Sequence, residues 1–182
     1  MKYIIPIIML SLVLLSCGKD DDEKAVDTAT CTGTSSGSGP TIGSVALEEA
    51  TYLSSCFAYT NSSGNGVSKK KQLAFKNSTE AQYTDYNYSD NSCSTLTSTY
   101  NVCMNAITVS STAVTKPTYV NGAQTNDNAT GYNATAKWLN DLTGTEYLQF
   151  SADNASGFWF NQSNSESGRN SKTIWGYKFT KQ

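Results

Sequence analysis

The chain has 182 residues, of which 15% are charged and 11% aromatic, and its formal net charge is −2. A chain of this length builds one domain with a sizeable core rather than two. The lysine run Lys69–Lys71 is isolated. The sequence therefore offers no basic surface able to neutralise a run of phosphates, and nucleic acid is excluded as an expected partner.

The first 17 residues resemble a bacterial lipoprotein signal. Lys2 precedes an apolar segment from Ile4 to Leu15 that is too short for a membrane-spanning helix, and the segment ends in Leu14-Leu15-Ser16-Cys17. In the lipobox family that this ending resembles, the signal is removed before the cysteine, which then carries a diacylglycerol on its sulfur and a third acyl chain, typically palmitate, on its amine. The resemblance implies that residues 1–16 are cleaved and that Cys17 is the lipidated membrane anchor. The alternative is a cleaved secretory signal with an incidental cysteine.

The segment after this cysteine predicts a flexible tether. Asp20 to Glu23 form an acidic run that resembles export signals of lipoproteins on the outer face of some diderm bacteria, the alternative being a solvated, charged linker. Residues 17–43 as a whole are acidic and then rich in Ser, Thr and Gly, so they cannot bury enough apolar surface to offset their own ordering. We therefore expect a domain held at the outer membrane, surface-exposed or facing the periplasm, through the acyl chains on Cys17.

The other four cysteines predict two disulfides, because thiols outside the cytoplasm are oxidised. A zinc site is the alternative, but the chain has no histidine and no Cys-x-x-Cys pair, so we expect neither a metal nor another cofactor. Three pairings are open. We favour Cys56 with Cys93, which closes a loop that contributes about 4 kcal/mol by the chain-entropy argument. Cys31 with Cys103 would then fasten the end of the tether to the domain.

Beyond residue 43 the pattern is that of an all-β domain. Ser44 to Ala50 predicts one or two helical turns with Ser44 as N-cap, and Ala123 to Ala136, which is poor in apolar residues, predicts a long loop. Asn77-Ser78 predicts the turn of a hairpin. Period-two segments predict strands at Thr51–Tyr59, Lys71–Lys76, Glu80–Tyr88, Ser94–Tyr100, Ala106–Thr112, Lys116–Val120, Glu146–Ser151, Gly157–Asn161 and Thr173–Thr180. Eight or nine short strands indicate an antiparallel barrel or a β-sandwich, and we favour the barrel because closure removes exposed edges.

Several of these segments resemble a group of small secreted bacterial lipoproteins with lipocalin-like meanders. The resemblance lies in Tyr52–Cys56, Gln72–Lys76, Tyr86–Ser94, Phe158–Phe160 and Tyr177–Lys181. It implies that residues 44–182 form a single lipocalin-like barrel of about eight strands. Where such chains commonly have Gly-x-Trp this one has Ala50-Thr51-Tyr52, so the resemblance does not say how the base of the barrel is closed.

The sequence does not predict an enzyme. Without histidine, serine- or cysteine-based catalysis lacks its usual base. Glu146 and Asp153 are candidates for the paired carboxylates of a glycosidase. Their positions are more typical of a strand end and a turn.

Aromatic side chains provide the candidate binding residues. Alternate aromatic residues on a strand usually fill a barrel core, but if they line an open cavity they bind a small apolar ligand. The candidate ligand-lining residues are Trp175, Tyr177, Phe179, Tyr86 and Tyr88. The predicted function is non-catalytic binding of a small apolar ligand. The alternative is a surface interaction or adhesion module that contacts a protein or glycan, with Tyr83 and Trp159 facing solvent.

Overall fold

A computed structural model describes residues 30–120, 123–139, 141–171 and 178–182. No helix in these ranges has the length and apolar character that crossing a membrane requires. The secondary-structure elements of the described residues are β1 (Ser38–Ile42), β2 (Val45–Glu48), β3 (Thr51–Ser54), β4 (Phe57–Thr60), β5 (Gly66–Asn77), β6 (Glu80–Tyr88), β7 (Leu96–Val120), β8 (Ala123–Trp138), β9 (Asp141–Asn154), β10 (Gly157–Ser163), α1 (Glu166–Ser171) and β11 (Lys178–Lys181).

The strands form a closed antiparallel barrel. Strands β5 to β11 follow one another in chain order around the sheet, β11 pairs with β3, and β3 closes the ring by pairing with β5. The barrel thus has eight strands, and β4 adds a further strand on β5 beyond β3. The predicted all-β, lipocalin-like barrel is confirmed, and the sandwich alternative is wrong.

The hairpin of β5 and β6 shows how sequence alternation sets the faces of the sheet. Leu73 pairs with Tyr83 and Phe75 with Ala81, and all four are buried. Directly paired residues point to the same side of a sheet, and residues two apart on one strand share that side. We call this side, which faces the core, the inner face. The predicted hairpin is confirmed, with Asn77 Oδ1 accepting from the Thr79 N–H at 2.9 Å in the turn.

Aromatic rings fill the lower part of the barrel, where β5 ends and β6 begins. The Phe158 ring stacks on Phe179 at a centroid distance of 5.2 Å, and it contacts Tyr52 at 5.1 Å and Phe150 at 5.7 Å. These four side chains are fully buried. Such ring pairs add about 0.5–1.5 kcal/mol each beyond the burial of their apolar area. The lower barrel is therefore a packed core.

The predicted helical turn at Ser44–Ala50 is wrong, because this segment contains β2. Strands β1 and β2 form a separate hairpin in which Ile42 pairs with Val45. The two-residue turn between them begins with Gly43, whose φ of 62° suits glycine. Ile42 and Leu47 both reach the core with 1% of their surface exposed. Burial of these side chains outweighs the local helical preference, and β1 lies within the stretch expected to be a flexible tether.

Other segment boundaries also differ from the predictions. Ala123–Ala136, predicted as a long loop, lies in β8, which pairs with β7 on one side and β9 on the other. The three strands predicted between Ser94 and Val120 are one strand, β7, with irregular register along its pairing with β8. The strand predicted at Thr51–Tyr59 is divided into β3 and β4. Of the last predicted strand, residues 173–177 lie outside the described residues.

Both predicted disulfides are present. Cys31 joins Cys103 with Cα atoms 5.0 Å apart, and Cys56 joins Cys93 with Cα atoms 5.9 Å apart. The segment around Cys31 is also fastened to β6, since its N–H donates to Gln82 Oε1 at 2.9 Å. The predicted signal and lipidation site, residues 1–17, lie outside the described residues.

Candidate functional site

The lower end of the barrel is closed by the β1–β2 hairpin. Ile42 and Leu47 pack into the core from this hairpin. The Tyr52 hydroxyl accepts from the Glu48 N–H at 3.2 Å and donates to the Ala155 carbonyl at 3.0 Å, which ties β2 to the turn between β9 and β10. Burial raises the pKa of this phenol above its usual value, so it stays a donor. The base of the barrel is thus closed by a hairpin that the sequence did not predict.

At the upper end, where β5 begins and β6 ends, the inner face becomes polar. Lys71 Nζ lies 2.8 Å from Asp85 Oδ1, and the Tyr83 hydroxyl donates to the same oxygen at 2.8 Å. Lys71 also donates to the Tyr83 hydroxyl. We call these three residues the upper cluster. Lys71 shares its face with Leu73, two residues further along β5, so the cluster lies on the inner face above the aromatic core.

The upper cluster is reachable from solvent, although its tyrosine is buried. The side chains of Lys71 and Asp85 are 19% and 20% exposed, while Tyr83 is 2% exposed. An ion pair that loses most of its hydration gains little net stability, and a well-packed apolar replacement is often as stable or more so. Stability alone therefore does not explain why these strands carry charges at inner-face positions.

Aromatic side chains lie on the strands that carry the upper cluster or adjoin it. The Trp138 ring lies 5.5 Å from the Tyr83 ring. On β4, Phe57 and Tyr59 stack with centroids 6.0 Å apart and ring planes 24° from parallel. Tyr100 pairs with Asp85 across β6 and β7 and is 36% exposed. The upper end thus combines flat apolar surfaces with charged and hydroxyl groups, as small-molecule sites do.

The lysine run that looked isolated in the sequence is divided between the two faces of β5. Lys69 pairs with Phe57 and Lys71 with Asp85, so both point to the inner face. Lys70 pairs with Tyr86 and points outward. The Lys69 ammonium lies 5.7 Å from the centroid of the Tyr59 ring, in cation–π contact. Lys69 and Lys71 alternate in step with Leu73 and Phe75. This alternation was the signal in the sequence that the inner face becomes polar toward the upper end.

The structure separates the predicted ligand-lining residues. Phe179 lies in the packed core against Phe158. Tyr86 and Tyr88 point to the outer face, and they do not line the barrel interior. The Tyr86 hydroxyl donates to Gln72 Oε1 at 3.0 Å, and burial raises the pKa of this phenol. The other two candidates, Trp175 and Tyr177, lie outside the described residues.

The two carboxylates considered for glycoside hydrolysis are not brought together. Glu146 lies in the middle of β9 and Asp153 near its end, seven residues apart, which is about 23 Å along a strand. Paired catalytic carboxylates lie roughly 5–9.5 Å apart. Glu146 instead accepts from Gln162 Nε2 at 3.1 Å.

One group of potential metal ligands comes together in the described part of the chain, namely Cys31, Glu80 and Cys103. Its two sulfurs are bonded to each other and offer no thiolate. Glu80 Oε1 accepts the N–H groups of Thr32 and Gly33, both at 3.1 Å. This group holds the N-terminal segment against β6 and does not fit a metal ion.

The two residues named for the surface alternative, Tyr83 and Trp159, differ in burial and in the face that they occupy. Tyr83 is buried, whereas Trp159 is half-buried on the outer face with Lys178 Nζ 4.6 Å from its ring. Among the side chains that the structure describes, the large apolar ones that are exposed are Leu96 at 52%, Leu139 at 38% and Tyr100 at 36%. All three lie in or next to strands at the upper end. Each of these three exposed side chains is thus found away from the hairpin that closes the base.

Comparison with protein-family models, with curated proteins and with solved structures finds no match for this chain.

Proposed function

We propose that this chain is a bacterial cell-envelope lipoprotein whose barrel binds a small, largely apolar ligand at its upper end, without catalysing a reaction. The observation that carries this proposal is the contrast within the inner face. The lower barrel is packed and closed, while the upper end presents aromatic rings beside a partly exposed polar cluster. A ligand that packs on these rings gains apolar burial, and its polar groups meet Lys71, Asp85 and Tyr83.

The proposed anchor is compatible with binding outside the membrane. Cys31 is fastened to β6 and β7, so about 14 residues separate it from the proposed lipidation site at Cys17. A flexible chain of that length has an r.m.s. span of roughly 20 Å. The barrel would stand close to the outer membrane and still reach ligands in the surrounding medium. Absence of histidine from the sequence and the separation of Glu146 from Asp153 support a non-catalytic role.

Native mass spectrometry of the full-length protein purified from its source tests the proposal. We expect a co-purifying small molecule whose occupancy falls about fivefold in Tyr100→Ser, because this change removes a half-exposed aromatic contact at the upper end. Tyr88→Ser is the matched control, since Tyr88 lies near the same end but points to the outer face. Protein that carries no small molecule, or equal losses in both variants, would contradict the proposal.

A surface interaction module is the second candidate, and the exposure of Leu96, Tyr100 and Leu139 favours it. Scattered exposed apolar residues are normal, so this candidate rests chiefly on Leu96, the most exposed of the three. A photo-crosslinking side chain placed at position 96 separates the candidates. A crosslinked protein or glycan, together with the absence of a co-purified small molecule, would replace ligand binding by this function.

A further inference from the structure

We infer that the ligand carries one anionic group, which Lys69 and Lys71 hold on the inner face of β5. This inference rests on the proposed function and adds the charge class of the ligand. The simplest ligand of this class is an apolar carboxylate with a flat ring system. The positions of the two ammonium groups, the charges around them and the rings beside them support an anionic ligand.

The two lysines are placed to act on one group. They are two residues apart on a regular part of β5, so their Cα atoms are about 6.6 Å apart along the strand and their side chains leave the same face. Lys69 is half-buried, and the side chain of Lys71 is 19% exposed. A carboxylate between them would therefore replace only part of a hydration shell while meeting two positive charges.

The charge balance at this position favours an anion. Asp85 compensates Lys71, whereas Lys69 forms no ion pair with any carboxylate in the described ranges. Glu146, an inner-face carboxylate on β9 across the barrel, is engaged by Gln162. A cationic ligand would meet two ammonium groups. Asp85 Oδ1 already accepts from both Lys71 and Tyr83, which weakens its attraction for a further cation.

The surroundings of Lys69 indicate what the rest of the ligand is like. Its ammonium lies over the Tyr59 ring, and Tyr59 stacks with Phe57. These two rings provide apolar surface next to the positive charge. A planar apolar body packs on such a surface, while its anionic group replaces water around Lys69. The pairing of a ring platform with an uncompensated ammonium is what distinguishes this end from the rest of the described inner face.

Two probes of equal shape and different charge test the inference: 2-naphthoate and the neutral 2-naphthamide. Binding is measured by isothermal titration calorimetry with the full-length protein in lipid nanodiscs, and the heats of empty nanodiscs are subtracted. We expect naphthoate to bind about tenfold more tightly than naphthamide, because a charge-assisted contact is partly screened at a half-exposed site. In Lys69→Met, naphthoate affinity should fall about fivefold to tenfold and naphthamide affinity should stay unchanged.

Lys70→Met is the matched control, because Lys70 is adjacent in sequence and points to the outer face. It changes net charge as Lys69→Met does and should leave both affinities unchanged. Equal loss of naphthoate affinity in the two variants would mean that the net charge of the protein, and not the position of Lys69, determines the affinity. That result would overturn the inference. If both probes bind equally in the unmodified protein, the inference fails while ligand binding stands. If neither probe binds, and no small molecule co-purifies with the protein, the proposed function fails with it.

Discussion

The lower and upper halves of this barrel are built from the same strands and yet differ in chemistry. On β5, Phe75 and Leu73 enter the packed core, and Lys71, one step further up the same face, forms an ion pair. The lower half gains stability from ring contacts that exclude water. The upper half retains charges that a stability argument does not require. The comparison shows that one alternating pattern along a strand can provide both the core and a candidate binding surface.

The largest expected loss of stability comes from a substitution in the lower half. Phe158→Ala removes a ring that contacts Tyr52, Phe150 and Phe179, so the free energy of unfolding should fall by about 3–5 kcal/mol. Urea unfolding followed by tryptophan fluorescence measures this change. Trp159→Ala is the control on the next residue, whose ring is on the outer face, and its cost should be less than half as large. Similar costs for both substitutions would mean that the lower barrel is not a packed core.

A smaller effect is expected when the upper cluster is broken. Asp85→Leu leaves Lys71 without its carboxylate, and it should lower the free energy of unfolding by about 2 kcal/mol. The double variant Lys71→Met/Asp85→Leu should regain most of this loss, because both charges are removed together. Urea unfolding of the two variants measures the difference. A double variant that stays as unstable as Asp85→Leu, relative to the unmodified protein, would show that the ion pair itself stabilises the barrel. The chemical contrast between the two halves would then follow from stability alone.

The smallest effect is expected in the upper loop between β6 and β7. Asp90 accepts hydrogen bonds from the Ser92 hydroxyl and N–H at 2.7 Å and from the N–H groups of Ser94 and Thr95, and these bonds hold its pKa well below the usual range. A carboxyl whose pKa is lowered on folding contributes stability that is complete above its unfolded pKa of about 3.9 and is lost as pH falls toward the folded value.

The check on this loop is a comparison across pH. The difference in unfolding free energy between the unmodified protein and Asp90→Asn should be constant from pH 5 to pH 8 and should shrink below about pH 4. Asp153→Asn, which changes an exposed carboxylate on β9, is the control for a general effect of charge. A difference for Asp90→Asn that does not change with pH would mean that the carboxylate contributes no more than an amide.

Local patterns were sufficient for the hairpin of β5 and β6, and they favoured the disulfide pairing that the structure contains. Alternating Leu73 and Phe75 next to Asn77-Ser78 determine a strand and its turn from a few neighbouring residues. They were insufficient for β8, where Ala134 and Ala136 occupy inner-face positions with small side chains. A strand paired on both sides can form with few large apolar residues, because its neighbours provide the hydrogen bonds and most of the apolar surface.

For the candidate site, too, local patterns predicted one part and missed another. The sequence predicted that aromatic residues matter, but it selected Tyr86 and Tyr88, which point outward, and not Phe57, Tyr59 or Tyr100. Period-two alternation divides residues into two sets without saying which set faces inward. For β6, that choice follows from the pairing of Tyr83 with Leu73, which is a tertiary contact.

The sequence by itself determined the β class and the antiparallel order of the β5–β6 hairpin, because these follow from side-chain alternation and turn residues along a single chain. It favoured one of three pairings of the four described cysteines, and the structure selected that pairing. Tertiary structure alone decided that Val45–Glu48 is a strand, that the β1–β2 hairpin closes the base, and that Lys69 and Lys71 meet aromatic rings at the other end. These outcomes depend on which surfaces are left to be covered once the barrel has closed, and no local window of residues contains that information.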